Sequence, residues 1–221
     1  MTALVRSKAG VTLIGGGAVA ADELAEALGF APLLVAADGG ADQALALGQV
    51  PAAVIGDLDS VSDVARAQIA QVHHIPEQAS TDFEKCLSRI DAPFVIAVGF
   101  SGQRLDHQLA ALSVMARRVG PAAVMIAGED LCFLAPPRLR LPLPAGERLS
   151  LFPMGAARGE SHGLRWPIDG IGFAPDEVIG TSNQTLGPVD LTLQGPMLVM
   201  LSRRWLALVL AALADASGGD I

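Results

Sequence analysis

The chain has 221 residues, 51% of them apolar, and a formal charge of −8. This composition predicts a folded globular protein of one large or two modest domains and excludes intrinsic disorder. Its only lysines are Lys8 and Lys85, so no basic stripe is available to neutralise a nucleic-acid backbone or dock on an anionic membrane, and neither partner is expected.

Short apolar runs alternate with helical patterns through the first part of the chain. Val11 to Ile14, Leu33 to Ala37, Ala53 to Ile55, Val72 to Ile75, Phe94 to Val98 and Val124 to Ala127 are continuously apolar and predict strands buried on both faces. Between them, Asp22 to Leu28, Ala41 to Leu47 with Gly48 as its stop, Val61 to Ala70, Thr81 to Ile90 with Ser80 as N-cap, and Leu105 to Arg118 have helical spacing. Alternation of this kind predicts an α/β fold with a mostly parallel sheet flanked by helices.

The pattern changes at Ala135-Pro136-Pro137, which sets an expected boundary between domains 1–136 and 137–221. Beyond it, short segments at Leu139 to Leu143, Leu149 to Pro153, Val178 to Thr181, Val189 to Leu193 and Met197 to Leu201 predict a smaller, mainly antiparallel β domain ending in a helix. The apolar stretch Met197 to Ala214 is cut by Arg203 and Arg204, and the piece after them is much shorter than the roughly 20 residues that span a bilayer. Trp205 falls in an apolar helical pattern and is expected in the core. Glycines interrupt the first apolar run before it could form a signal-peptide core, and Cys86 and Cys132 stand alone in apolar patterns. A cytoplasmic protein with reduced thiols is expected.

The polar residues of the first domain fall at one place in this architecture. Asp38-Gly39-Gly40 follows the second predicted strand, Gly56-Asp57-Leu58-Asp59-Ser60 the third, Ser80-Thr81-Asp82 the fourth, and Gly102-Gln103-Arg104-Leu105-Asp106-His107 the fifth. In an open parallel sheet these positions lie beyond the carboxyl ends of the strands, where ligands bind. Each piece alone reads as a turn or a helix cap. Together they bring several carboxylates to one crevice, and two unit charges at about 4 Å repel by roughly 4 kcal/mol at an effective dielectric near 20, so a cation is needed. Oxygen-only ligands suit Mg²⁺ or Mn²⁺, and Mg²⁺ commonly combines one or two carboxylates with substrate phosphates. Arg104, Lys85 and backbone N–H groups are the available positive partners for a nucleotide. Lys85 reads equally as a phosphate contact or as a solvated surface lysine.

These segments, together with Ser80-Thr81-Asp82-Phe83-Glu84-Lys85-Cys86-Leu87, Gly163-Leu164-Arg165-Trp166 and Thr181-Ser182-Asn183, resemble in order and spacing the signature segments of thiamin pyrophosphokinases, over nearly the whole chain. The resemblance implies Mg²⁺-dependent transfer of pyrophosphate from ATP to the thiamin hydroxyl, giving thiamin diphosphate and AMP. It implies Asp57, Asp59 and Asp82 as metal ligands and, with Arg104, as the catalytic set. Asp38, Gly39, Gly40, Gln78, Thr81, Lys85, Arg104, Asp106 and His107 would shape the nucleotide side. It also implies a homodimer that binds thiamin between the first domain of one subunit and the β domain of the other. Trp166 suits that substrate, since an indole face is the best side-chain platform for a cation or a flat ring; Ser182 and Asn183 can hydrogen-bond a polar heterocycle. The sequence departs from the family pattern at Ala79, where an acid is common. Two alternatives are a different metal-dependent phosphotransferase or phosphatase, with an aspartate of Asp57-Leu58-Asp59 as nucleophile, and a non-catalytic thiamin or nucleotide sensor.

Overall fold

The computed structural model describes residues 2–102, 104–180 and 182–218. Its contacts divide the chain into two compact units, Met1–Ala127 and Gly128–Ile221.

The first unit runs β1 (Val5–Arg6), β2 (Val11–Ile14), α1 (Ala21–Phe30), β3 (Leu33–Ala37), α2 (Gly40–Ala46), β4 (Ala53–Gly56), α3 (Asp63–Gln68), β5 (Gln71–His74), α4 (Asp82–Leu87), β6 (Ile90–Asp91), β7 (Phe94–Val98), α5 (Leu105–Ala116) and β8 (Ala122–Ala127). The ladders β2–β7, β7–β8, β3–β4 and β4–β5 are all parallel. A bridge from Val11 to Pro32 ties the start of β2 to the residue before β3. The middle strands are built mainly of Val, Ile, Leu and Ala, with every residue of β2 and β4 buried, Thr12 and Gly56 included.

β5 departs from the expectation of a strand buried on both faces. Among the described residues it pairs only with β4, and Val72 is 41% exposed. An edge strand has one neighbour to cover it, which an apolar run of this length does not reveal. The helix expected from Thr81 to Ile90 is shorter, and its N-cap is Thr81, whose hydroxyl accepts from the Glu84 amide. Ser62 does the same for α3.

The second unit contains β9 (Asp130–Leu134), β10 (Arg138–Leu141), β11 (Arg148–Pro153), β12 (Ala157–Leu164), β13 (Gly172–Phe173), β14 (Ser182–Gln194), β15 (Met197–Ser202), a 3₁₀ turn at Arg203–Trp205 and α6 (Leu206–Gly218). Every ladder within it is antiparallel. β14 is the longest strand and pairs with β10, β11 and β12 along different parts of its length. The division between units precedes the proline pair because β9 is a full partner of β15, from Leu134–Leu198 to Asp130–Ser202. Val178 to Gly180 form no strand, and Val178 is 50% exposed. No helix of the described residues is long and apolar enough to cross a membrane.

Trp205 is half-buried rather than core. Its indole N–H donates to Glu147 at 3.0 Å, and the same carboxylate accepts from Arg204. Arg204 first and then Trp205 hold the Glu147 carboxyl below its ordinary range. A depressed carboxylate contributes stability above its unfolded pKa and loses it as pH falls through the folded value. Glu147→Gln is therefore expected to lower Tm by a few degrees at pH 7 and by much less near pH 3, measured by calorimetry at both values.

Candidate active site

The loops after β3 and β4 and the start of α4 build one acidic cluster. Asp38 follows β3 with φ 44°, a left-handed conformation that Asp and Asn tolerate better than most residues. Gly39 and Gly40 then open α2. Asp57 and Asp59 follow β4 on either side of Leu58, whose φ is 65° and whose side chain is 6% exposed. Burial of that apolar side chain and a hydrogen bond from the Arg66 guanidinium to the Leu58 carbonyl hold the strained turn. Arg66 is a supporting residue that sequence reasoning did not single out; its place on α3, facing back onto the turn, is a tertiary fact.

Gly56 lies where the strands deliver these groups. A Cβ there would sit 2.9 Å from the Asp38 Cβ and 3.2 Å from Asp82 Oδ1, so only glycine lets the carboxylates approach so closely.

Ligand atoms of Asp38, Asp57 and Asp59 lie within 4.8 Å of one another. Asp38 is 7% exposed, and its Oδ1 is buried with no hydrogen-bond partner among the described residues. Burial raises the Asp38 carboxyl above its ordinary range, with Asp82 and Asp59 adding to the effect against a backbone hydrogen bond at Gly39. A buried carboxylate oxygen without a donor fits a hard divalent cation, and three carboxylates converging on one volume are the donor set that such an ion takes. Asp57 is held on the acidic side of its range, first by Gln78, whose Nε2 donates to Oδ2 at 2.8 Å, and further by Lys85. The Ser60 hydroxyl donates to Asp59 at 2.8 Å.

Asp82 sits at the first turn of α4 and faces a different partner. Lys85 Nζ lies 3.0 Å from Asp82 Oδ1 and 3.5 Å from Asp57 Oδ2, and the lysine side chain is 2% exposed. Lys85 is thus neither solvated nor at the surface. Burial works to push its ammonium down, but Asp82 and Asp57 outweigh that and hold it above its ordinary range. Four carboxylates with one buried ammonium leave the cluster strongly negative.

Thr81 is exposed and spends its hydroxyl on the helix cap. Beside it, Glu77 curls onto the loop, accepting from the amides of Ala79 and Ser80, and Gln78 is presented to Asp57. Arg104 and Asp106 are exposed and pair with each other at 2.6 Å; His107, in the same first turn of α5, is exposed too. The guanidinium of Arg104 donates to Asp106 through both Nε and Nη2. Gln103 and Thr181 lie outside the described residues. Cys86 and Cys132 are buried, and burial raises Cys86 well above its ordinary range and Cys132 to about 12, so neither is a ready thiolate.

In the second unit, Trp166 is 55% exposed. Its backbone N–H donates to Asn183 Oδ1 at 3.2 Å and its carbonyl accepts from Asn183 Nδ2 at 2.6 Å. Ser182 is exposed at the start of β14.

A family model described as the catalytic domain of thiamin pyrophosphokinase matches residues 24–125, the stretch that carries Asp38, Asp57, Asp59, Asp82 and Lys85. Over that stretch the chain is similar to the catalytic domain of thiamin pyrophosphokinases. A curated relative, thiamine pyrophosphokinase 1 of Oryza sativa subsp. japonica, is 27% identical across 70% of this chain and 75% of its own length. The thiamin pyrophosphokinase fold extends over both units. The enzyme from Candida albicans superposes with TM-score 0.74 at 14% identity, covering 91% of this chain and 93% of its own. The yeast enzyme gives 0.72 at 16% identity, covering 97% and 94%. The Geobacillus thermodenitrificans protein gives 0.70 at 20% identity, covering 87% and 96%.

Proposed function

We propose that this protein is a thiamin pyrophosphokinase that transfers the β,γ-pyrophosphoryl group of ATP to the hydroxyl of thiamin, giving thiamin diphosphate and AMP. The observation that carries this reading is the convergence of Asp38, Asp57 and Asp59, with a buried oxygen of Asp38 lacking any protein donor, inside the segment matched by the catalytic-domain model. The bond formed joins the thiamin oxygen to the β-phosphorus; the bonds broken are the hydroxyl O–H, whose proton passes to water, and that between the phosphorus and the α–β bridging oxygen, which leaves with AMP. Bound Mg²⁺ supplies the charge that neutralises the polyphosphate.

The chain's own residues set the geometry of that step. Asp38, Asp57 and Asp59 would hold the metal. Asp82 joins them through Lys85, whose buried ammonium fixes the relative positions of Asp82 and Asp57. Gln78 orients Asp57 from the other side. Arg104, exposed at the start of α5, would exchange part of its pairing with Asp106 for the nucleotide phosphates, with His107 beside it. Trp166 would offer an open indole face to thiamin in the β unit of a partner subunit, so that a homodimer is the working form. In this reading the unit up to Ala127 would bind nucleotide and metal, and the unit after it would bind substrate and dimerise. Two buried unpaired thiols suit the reducing cytoplasm.

The test is an assay of the purified protein with ATP, Mg²⁺ and thiamin that follows AMP and thiamin diphosphate together. Equal amounts of the two products are expected, with kcat falling on the order of 10²–10³-fold in Asp57→Asn. Release of ADP or free phosphate, or binding without product, would sink the assignment.

A further inference from the structure

We infer that Asn183 is a positioning residue that holds the Trp166 main chain by imitating a strand, and that Arg165 backs the indole so that one face is left for a ligand. The inference rests on the reading of Trp166 as the thiamin platform and assigns its supporting residues different tasks.

β12 ends its ladder with β14 at the pair Leu164–Thr185, after an irregularity between His162 and Leu164. Gly163 makes that bulge with φ 82°; a Cβ there would lie 2.0 Å from the Pro188 carbonyl oxygen, so the chain can turn here only at glycine. The Arg165 amide still finds the Gln184 carbonyl at 2.8 Å. For Trp166, a side chain replaces the next rung: the primary amide of Asn183 accepts from its N–H and donates to its carbonyl. Asn183 Oδ1 also accepts from the Gln184 amide at 2.9 Å. Both acceptor sites of that oxygen and one of the two N–H donors are therefore used, which leaves one N–H for any ligand. Asn183 thus serves the backbone of Trp166 first.

Arg165 stands over the Trp166 ring with its guanidinium carbon 5.1 Å from the centroid, and its Nη1 donates to Gln184 Oε1 at 3.0 Å. Residues 183 and 184, adjacent on β14, thereby hold residues 166 and 165. Trp166 is 55% exposed overall, and an indole with one face covered by a fixed cation can serve as a one-sided platform.

The experiment places Asn183→Leu, Asn183→Asp and Arg165→Met in a Trp205→Phe background, where Trp166 is the sole fluorophore of its kind. Acrylamide quenching and anisotropy of Trp166 are read first, without substrate, and steady-state kinetics second. The expected result is a more mobile, more quenchable Trp166 in Asn183→Leu, with thiamin KM raised roughly tenfold, equivalent to about 1.4 kcal/mol, and with ATP KM and kcat changed less than about twofold. Asn183→Asp keeps the acceptor and loses the donor, so it falls between parent and Leu. It carries the test if the Leu variant does not fold. Arg165→Met is expected to raise quenching with a smaller change in KM. Unchanged Trp166 quenching and anisotropy in Asn183→Leu would overturn the clamp whatever Trp166 binds. A loosened Trp166 with unchanged thiamin KM would overturn the positioning role. In that second case Trp166→Ala separates the two ideas: an unaffected thiamin KM there defeats the platform reading itself.

Discussion

Lys85→Met is expected to weaken folding by about 2–4 kcal/mol in chelator, and to make Mg²⁺ bind more tightly rather than less. The lysine side chain is 2% exposed and its ammonium touches Asp82 at 3.0 Å and Asp57 at 3.5 Å. Removing one partner of a buried ion pair costs roughly 3–5 kcal/mol, because the remaining charge is stranded. Here the remaining carboxylates keep 15% and 33% of their exposure, so water recovers part of that loss and the lower range applies. Methionine replaces the stem of the side chain without a large void. The second half of the prediction follows from the same charges. Lys85 and a metal compete to neutralise one acidic cluster, and the two like charges repel each other across it. Mg²⁺ affinity should rise on the order of tenfold, and urea unfolding with saturating Mg²⁺ should show a smaller deficit than unfolding in chelator. Weaker Mg²⁺ binding in this variant would mean that Lys85 acts by shaping the Asp57 ligand and not as a resident counter-charge. The variant should still lose kcat, since the ammonium is the one cation seated between these carboxylates among the described residues.

Lys85 also marks the limit of what the sequence discloses. That acidic groups gather beyond the carboxyl ends of parallel strands was legible, because Asp38 follows β3 and Asp57 follows β4 in a simple alternation of strand and helix, and strand polarity then fixes the side of the sheet. The parallel first unit and antiparallel second unit were legible for the same reason of pattern. The partner of each carboxylate was not. Along α4, Phe83, Cys86 and Leu87 make the buried apolar stripe and Lys85 is buried beside it; spacing alone leaves that position free to face solvent. The close approach of Asp38 and Asp82 to the end of β4 depends on the missing side chain of Gly56, a distance with no sequence signature. β12 escaped notice because Ala157–Leu164 is rich in Gly, Arg, Glu, Ser and His, with alternate residues exposed, and its pairing with β14 overrides weak strand propensity. Thr181-Ser182-Asn183 suggested ligand contact, whereas the described part of that motif spends Asn183 on the backbone of Trp166.

Asp38→Asn is expected to reverse the signs seen for lysine removal. In chelator the variant should be more stable than the parent by about 1 kcal/mol, within the range set by a buried polar group that lacks its partner. A rise in Tm of roughly 2–4 °C is expected for a chain of this size. The gain comes from the carboxylate itself: Asp38 is 7% exposed, Oδ1 meets no donor among the described residues, and burial already raises the group above its ordinary range. A neutral amide removes the desolvated charge and its repulsion with Asp59 and Asp82. Asparagine also accepts the left-handed backbone at φ 44°, so the substitution brings no new strain. Metal binding should move the other way. An amide oxygen is a weaker ligand for a hard cation than a carboxylate, and Mg²⁺ affinity should fall at least about tenfold with a loss of kcat/KM on the order of 10². Calorimetry in chelator, a Mg²⁺ titration and the coupled AMP and thiamin diphosphate assay read the three quantities independently. If Asp38 merely shaped the loop between β3 and α2, stability and metal affinity would fall together; a protein that gains stability while losing Mg²⁺ has instead been carrying strain in order to hold the ion.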